Sequence, residues 1–214
     1  RASLVAPLGS AACRDRSDER ASPAAAHRRS PTEVPTTRPE DWDPVAFNLE
    51  RGEAGAIPES YMDDITGPDG VKKHLGKHLP FVPSEITAAR VGPGRLPLMW
   101  GDPSKGHARH PNAPRSEANP EGHWYDWIRI ARAGHPEDEV VTRFDDWPRP
   151  TDAVSGRIDA AEGEDPAADG GRNSVYLARL PDGAQPGELL RVWAHCLTHG
   201  EYVDFVALPA RFSS

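Results

Sequence analysis

The chain has few cysteines, no long apolar run and no excess of positive charge. Its two cysteines, Cys13 and Cys196, stand near opposite ends of 214 residues and are too few for a disulfide framework. Apolar residues make up only 37% of the chain, and no stretch approaches the about 18 consecutive apolar residues that cross a bilayer. Acidic residues outnumber basic ones by 33 to 25, and the net charge of -8 is of the wrong sign for a general nucleic-acid binder. We therefore expect neither a membrane span nor a nucleic-acid partner.

Proline and glycine are abundant instead, with 23 and 19 residues. This composition disfavours long helices and favours short strands joined by many turns. Seven segments rich in β-branched and aromatic residues predict such strands. They are His78–Val82, Leu96–Trp100, Trp124–Ala131, Glu139–Phe144, Ser174–Leu180, Glu188–His195 and Tyr202–Leu208. The sequence predicts an all-β fold, an immunoglobulin-like antiparallel β-sandwich of about seven strands with long loop insertions.

The first 40 residues have no hydrophobic periodicity. Residues 1–40 are therefore predicted to be a disordered tail or the remnant of a targeting segment, and residues 41–214 to form one domain. The stretch Leu4–Cys13 is similar to the end of an export signal, but Pro7 interrupts it. A cytoplasmic location is favoured, and export is the alternative.

Charge is distributed unevenly along the predicted domain. Residues 71–115 carry eight basic and two acidic side chains, whereas residues 133–170 carry three basic and eleven acidic ones. The basic region can attract a small anion, although both regions also fit ordinary solvated surfaces. Residues 42–62 predict a short helix or irregular segment, and Pro68–Gly70 predicts a turn. The acidic residues 147–173 show little strand character and are expected to lie outside the sheets.

One short motif carries metal-binding chemistry. Cys196–Gly200 reads Cys-x-x-His-Gly and directly follows a predicted strand. A tight turn there would bring the thiolate of Cys196 and the imidazole of His199 to the same side, where both could bind one ion. Nine histidines, about twice ordinary usage, provide further candidate ligands.

Three more segments accompany this motif along the chain. They are Lys77–Pro80, which reads Lys-His-x-Pro, the His-Pro-Asn loop His110–Asn112, and Glu121–Ile128, in which a histidine precedes an aromatic strand. Together with Cys196–Gly200, and in this order, they resemble the superoxide reductases. That family is also called the neelaredoxins and, with an extra domain, the desulfoferrodoxins. The resemblance covers roughly residues 73–208.

The resemblance implies one mononuclear iron, cycling between Fe2+ and Fe3+, with four imidazole ligands and an axial thiolate. Carried over to this sequence, the ligands are His78, His110, His123, His199 and Cys196. A mixed set of five such ligands suits a redox-active iron, whereas structural zinc is usually closed by four. The sixth position would be open, and Lys77 matches the family's lysine near it, where a cation attracts an anion.

The activity implied is the one-electron reduction of superoxide to hydrogen peroxide, without formation of dioxygen. The thiolate of Cys196 would push electron density toward the opposite position, as thiolates do for haem iron. The resemblance also implies a rubredoxin-like electron donor and a homo-oligomer, a dimer or a tetramer. Two alternatives stay open: a metal-binding β-sandwich module without turnover, and a zinc-dependent hydrolytic site.

The sequence departs from the family pattern at one position near the iron. Many members carry a glutamate two residues before the first ligand histidine, where it can occupy the sixth position; here that residue is Gly76. A resting oxidised centre should then bind water, hydroxide or an external anion. The four cysteines of a desulfoferrodoxin's second iron site are also missing, so a single iron is expected.

The choice among neighbouring histidines depends on sequence context. His107 lies three residues before His110, and His74 lies four before His78, so spacing alone would allow either neighbour to be the ligand. The Lys-His-x-Pro and His-Pro-Asn contexts favour His78 and His110. His195, directly before the thiolate, is expected to be an ordinary side chain or to contact a ligand from outside.

Overall fold

The structure, a computed structural model, describes residues 33–147, 156–159 and 168–212. Eight strands within these residues form two four-stranded sheets in which every neighbouring pair is antiparallel. The strands are β1 (Pro80–Phe81), β2 (Arg95–Trp100), β3 (Tyr125–Arg132), β4 (His135–Arg143), β5 (Gly156–Asp159), β6 (Ser174–Arg179), β7 (Leu189–Cys196) and β8 (Gly200–Ala207). The strand order is β1-β2-β6-β5 in one sheet and β4-β3-β7-β8 in the other.

The antiparallel β architecture agrees with the sequence prediction, and each of the seven predicted segments overlaps a strand. The eighth strand, β5, corrects the expectation that residues 147–173 lie outside the sheets. It pairs with β6, with Ile158 opposite Val175. This four-residue strand has little apolar pattern of its own. Its strand geometry at the sheet edge therefore depends on pairing with β6 rather than on local propensity. An immunoglobulin-like strand connection stays a prediction.

The helices are short, as the proline and glycine content predicts. They are α1 (Pro44–Arg51), α2 (Glu59–Thr66) and α3 (Ala88–Val91), with single 3-10 or π-helical turns at Gly52–Ala56, Val71–Leu75, Gly76–His78, Pro103–Lys105 and Ala168–Gly171. The carboxylate of Asp43 caps α1 by accepting hydrogen bonds from the backbone N–H groups of Val45 and Ala46. Residues 42–62 therefore form the helical region that the sequence indicates.

Two apolar clusters form the interior. The main core lies between the sheets and includes Leu98, Ile128, Val175 and Val192, all without exposed surface. The second, here called the helical cluster, lies between the helices and β8. Its buried members are Ile57, Tyr61, Ile65, Leu75, Leu79 and Tyr202.

Helix α1 is fixed along the free edge of β8 by one side chain. The Asn48 side-chain amide donates to the Val203 carbonyl oxygen at 2.7 Å, and the Val203 N–H donates back to Asn48 Oδ1 at 2.8 Å. Next to this pair, the Trp42 indole N–H donates to the Asp204 carboxylate at 2.8 Å. These bonds hold the helical cluster against the second sheet.

The chain contacts the sheets before residue 40. The Gly134 N–H donates to the Thr36 carbonyl oxygen at 2.7 Å, and Arg191 donates to the Pro35 carbonyl oxygen at 3.4 Å. The rest of the predicted tail, residues 1–32, lies outside the described residues. Among the residues that are described, no helix is long and apolar enough to cross a membrane.

Candidate metal centre

Five side chains that the sequence singles out converge where the main core meets the helical cluster. Each offers one ligand atom, and these atoms all lie within 4.8 Å of one another. The group could hold a metal ion. It consists of His78, His110, His123, Cys196 and His199.

The distances within the cluster fit a shared ion. His199 Nδ1 lies 3.0 Å from His78 Nε2 and 3.1 Å from His123 Nε2. Two nitrogens bound at right angles, each about 2.1 Å from an ion, are about 3.0 Å apart. The Cys196 Sγ lies further out, 3.6 Å from His110 Nε2 and 3.7 Å from His199 Nδ1. A cation placed between ring nitrogens at this spacing could accept a lone pair from each of them.

The turn between β7 and β8 presents two of the ligands. Strand β7 ends at Cys196, β8 begins at Gly200, and the two residues pair across the hairpin. Gly200 has a φ of +83°, and a Cβ there would lie 2.3 Å from the Ala56 carbonyl oxygen. Only glycine fits this position, because a side chain would be strained at this positive φ and its Cβ would collide with the Ala56 carbonyl oxygen. The turn brings His199 over Cys196, as the Cys-x-x-His-Gly spacing predicts.

His110 is oriented by its own loop. Its Nδ1–H donates to Asn112 Oδ1 at 3.2 Å, which leaves Nε2 free as a ligand atom. The same Asn112 oxygen accepts from the Tyr176 hydroxyl at 2.7 Å, and the Asn112 amide donates to the Gly171 carbonyl oxygen at 2.9 Å. The asparagine of the His-Pro-Asn loop therefore sets the tautomer and the position of a ligand.

His78, like His110, is oriented by a hydrogen bond that its Nδ1–H donates. Its Nδ1–H donates to the His74 carbonyl oxygen at 2.6 Å, so Nε2 is again free. The ring stacks on Tyr202, with centroids 4.3 Å apart. His123 is positioned by its backbone, which exchanges two hydrogen bonds of 2.8 Å with Ala113.

The imidazoles are held neutral by their surroundings. Burial lowers the pKa of His78 and that of His110 well below the usual range, and neighbouring positive charges act in the same direction. Burial also lowers the pKa of His123 to about 4 and that of His199 to about 3, with a smaller contribution from Lys77. Their lone pairs are therefore free for a metal at neutral pH.

The surroundings of the Cys196 thiol disfavour the form that binds a metal, which is the thiolate. Burial raises the pKa of Cys196 to about 12, although the backbone N–H groups of Thr198 and His199, and the charge of Lys77, favour the thiolate. A thiolate without a cation is therefore unstable in this position. Binding a metal ion would replace the thiol proton, because the metal ligand is the deprotonated sulfur.

Lys77 lies at the margin of the cluster and is half-buried. Burial lowers the pKa of its ammonium group, and Arg172 lowers it further, whereas Cys196 and Asp64 raise it. Its Nζ lies 5.4 Å from the centre of the Tyr61 ring. The predicted cation is therefore placed where its charge acts on the ligands.

Tyr61 is a neighbour of the site that the sequence did not reveal. Its ring stacks on His199 with centroids 3.8 Å apart, and its hydroxyl lies 3.2 Å from His74 Nδ1. It comes from α2, outside the region of family resemblance. No local pattern distinguishes this tyrosine from an ordinary buried residue of an amphipathic helix.

The remaining candidate histidines lie outside the cluster. The Nδ1 of His195 lies 2.5 Å from a carboxylate oxygen of Asp126. The ring of His107 packs against Gly76, where a Cβ would lie only 2.5 Å from its Cδ2 atom. The space into which a side chain at position 76 would extend is thus filled by an imidazole.

Comparison of the chain with family models, with curated proteins and with solved structures finds no significant match.

Proposed function

We propose that the chain is a one-iron superoxide reductase. The observation that carries the proposal is the convergence of four imidazoles and one thiol on a single point, from four motifs that are far apart in the sequence. Mixed imidazole and thiolate ligation suits a redox metal, and five protein ligands crowd a zinc ion, which prefers four. If the ion were six-coordinate, these five ligands would leave one position for a small ligand.

The protein would supply the ligands, and the iron would supply the redox chemistry. His78, His110, His123 and His199 would hold the iron with Cys196. When bound, iron would supply the one-electron transfer that converts superoxide, with two protons, into hydrogen peroxide. The electron comes from an external donor, which we propose to be a small rubredoxin-like carrier.

The other groups of the chain act on the substrate and on its protons. The ammonium of Lys77 attracts the superoxide anion and favours negative charge at the open position. His123 and His199 are only partly buried, so solvent reaches this side of the cluster and can deliver the two protons. Cys196 is fully buried on the main-core side, where it is protected from oxidants.

Three measurements would test the proposal: the metal content, the visible spectrum, and the ratio of hydrogen peroxide formed to superoxide consumed. The purified protein, loaded with Fe2+, should bind one iron per chain and give a blue thiolate charge-transfer band on oxidation. With an electron donor present, each superoxide consumed should yield one hydrogen peroxide and no dioxygen. Dioxygen release would indicate dismutation, and an iron centre that never consumes superoxide would indicate a binding module.

A colourless protein that purifies with zinc would contradict the iron assignment. Light scattering on the same sample would measure the oligomeric state, for which we propose a dimer or a tetramer.

A further inference from the structure

Four hydrogen bonds fix the side chain of Asn112, beside the ligand His110. Its amide nitrogen donates to the carbonyl oxygens of His110 at 3.1 Å and of Gly171 at 2.9 Å. Its oxygen lies 3.2 Å from His110 Nδ1 and 2.7 Å from the Tyr176 hydroxyl. Because carbonyl oxygens only accept, the amide nitrogen must face them and the amide oxygen must face His110 and Tyr176. The buried amide therefore has one orientation.

The Tyr176 hydroxyl has one possible role toward Asn112, that of a donor. The Tyr125 backbone N–H donates to this hydroxyl at 3.2 Å, at a bulge in the pairing of β3 with β7. The single hydroxyl proton is then directed to Asn112 Oδ1, which can only accept. Tyr176 belongs to β6 in one sheet and Tyr125 to β3 in the other. A directed chain of hydrogen bonds thus runs from β3 through Tyr176 and Asn112 to His110.

His110 and Tyr176 share one acceptor oxygen. The Tyr176 bond, at 2.7 Å, has the usual length for a hydroxyl donor, whereas the His110 bond, at 3.2 Å, is at the long end for an N–H donor. The N–H of Tyr125 polarises the hydroxyl and strengthens its donation. Electron density that Asn112 gives to Tyr176 is not available to His110, and a weaker bond at Nδ1–H makes Nε2 a weaker ligand.

We propose that Tyr176 is a positioning residue, which acts through Asn112 and limits the electron density that His110 Nε2 gives to the metal. The inference rests on the proposed function and deepens it, because it assigns a residue that regulates the same centre. A ligand that gives less electron density stabilises the oxidised ion less. The hydroxyl would therefore make the oxidised centre easier to reduce.

Nuclear magnetic resonance of the metal-free protein would test the shared acceptor directly. Tyr176→Phe removes the competing donor and keeps the ring. The bond from His110 Nδ1–H to Asn112 should then shorten, and its proton resonance should move downfield. An unchanged or upfield resonance would overturn the proposal.

Tyr125→Phe is the matched control. Tyr125 also lies in the main core, with its ring stacked on Trp100 at 3.9 Å between centroids and 4.8 Å from the ring of His110. Its hydroxyl has no hydrogen-bond partner in the part of the chain that the structure describes. Removing it should leave the His110 resonance in place. An equal shift in both Phe variants would show a general disturbance of the core and would contradict a specific role of Tyr176.

The midpoint potential of the iron-loaded protein gives a second readout with a sign. Tyr176→Phe should lower the potential, because His110 becomes a stronger ligand. Asn112→Ala removes the acceptor, so it should raise the potential and lower metal affinity about tenfold to a hundredfold. Shifts of the same sign would overturn the proposal. The resonance experiment needs neither iron nor turnover. A downfield shift in a protein that never reduces superoxide would support the role of Tyr176 and refute the proposed function.

Discussion

The main core and the helical cluster meet at the metal centre but are built differently. The main core consists of regular strands and contributes Cys196, which has no exposed surface. The helical cluster consists of short helices and turns packed on strand β8 and contributes Tyr61 and Tyr202, whose rings stack on ligand histidines. Lys77 lies on the same side. We infer a division: the main-core side supplies the thiol ligand, and the helical side, besides the ligand His78, supplies the cation that is proposed to attract the substrate.

The largest effect is expected on the main-core side. Cys196→Ser should abolish turnover and the blue band, because an alcohol is far less acidic than a thiol and does not replace the thiolate ligand. The apolar core around it is otherwise unchanged, so the metal-free protein should still unfold cooperatively in urea. Cys13→Ser is the matched control and should keep both properties. A Cys196→Ser protein with an intact band would contradict the assignment of Cys196 as a metal ligand.

The pH dependence of metal uptake is the next largest effect. Between pH 6 and pH 8 the imidazoles are already neutral, with pKa values of about 4 for His123 and about 3 for His199, whereas the Cys196 thiol, with a pKa of about 12, is protonated. Uptake should release one proton, so affinity should rise about tenfold per pH unit, or about a hundredfold over this range.

Cobalt titration with a pH-indicator dye would measure the number of protons released. The Cys196→Ser protein should release none. Release of two protons by the unaltered protein would show that an imidazole is charged before metal binds, and that the burial argument is wrong.

On the helical side, substitutions of Gly76 test whether a side chain at this position can block the access of a small anion to the metal centre. Gly76→Ala would place a Cβ 2.5 Å from the His107 ring and should destabilise the fold by about 1–3 kcal/mol. Gly76→Glu should be at least as unstable and should leave azide binding to the oxidised centre intact.

Two further variants sharpen this test by urea denaturation. Gly67→Ala is the control, because the nearest atom to a Cβ there is 3.4 Å away. Combining Gly76→Ala with His107→Ala should recover part of the lost stability. If the glutamate variant folded normally and blocked azide, position 76 could hold a carboxylate gate after all.

The smallest of these effects concerns Lys77. Lys77→Ala should slow the reaction with superoxide about tenfold, which corresponds to about 1.4 kcal/mol, and should weaken its salt dependence without removing iron. Lys77→Glu should be slower still, because it adds repulsion. Pulse radiolysis at low and high salt would measure the rates. Equal rates and equal salt slopes in all three proteins would make Lys77 an ordinary surface residue.

The sequence predicts the main-core strands better than it predicts the residues around the metal centre. The main-core strands could be predicted because β-branched and aromatic residues cluster between prolines and glycines. Local spacing predicted only the pair Cys196 and His199, and the other three ligands were predicted from the family resemblance, which the cluster agrees with. Strand β5 could not, since four residues with mixed polarity acquire strand geometry only by pairing with β6. The position of Tyr61 arises from contacts between distant parts of the chain, which no local spacing encodes.

The Asn48 side chain has a consequence for how molecules of this protein meet one another. An outer strand with free N–H and C=O groups is a template on which a strand of another molecule can add, and such addition leads to aggregation. At Val203 both groups are already bonded to the Asn48 amide, which imitates the next strand. Growth of the sheet past β8 would first have to displace α1, and displacing α1 would remove the packing of Val45 and Leu49 on the helical cluster. Protection from intermolecular sheet extension and the packing of the helical cluster thus depend on one helix.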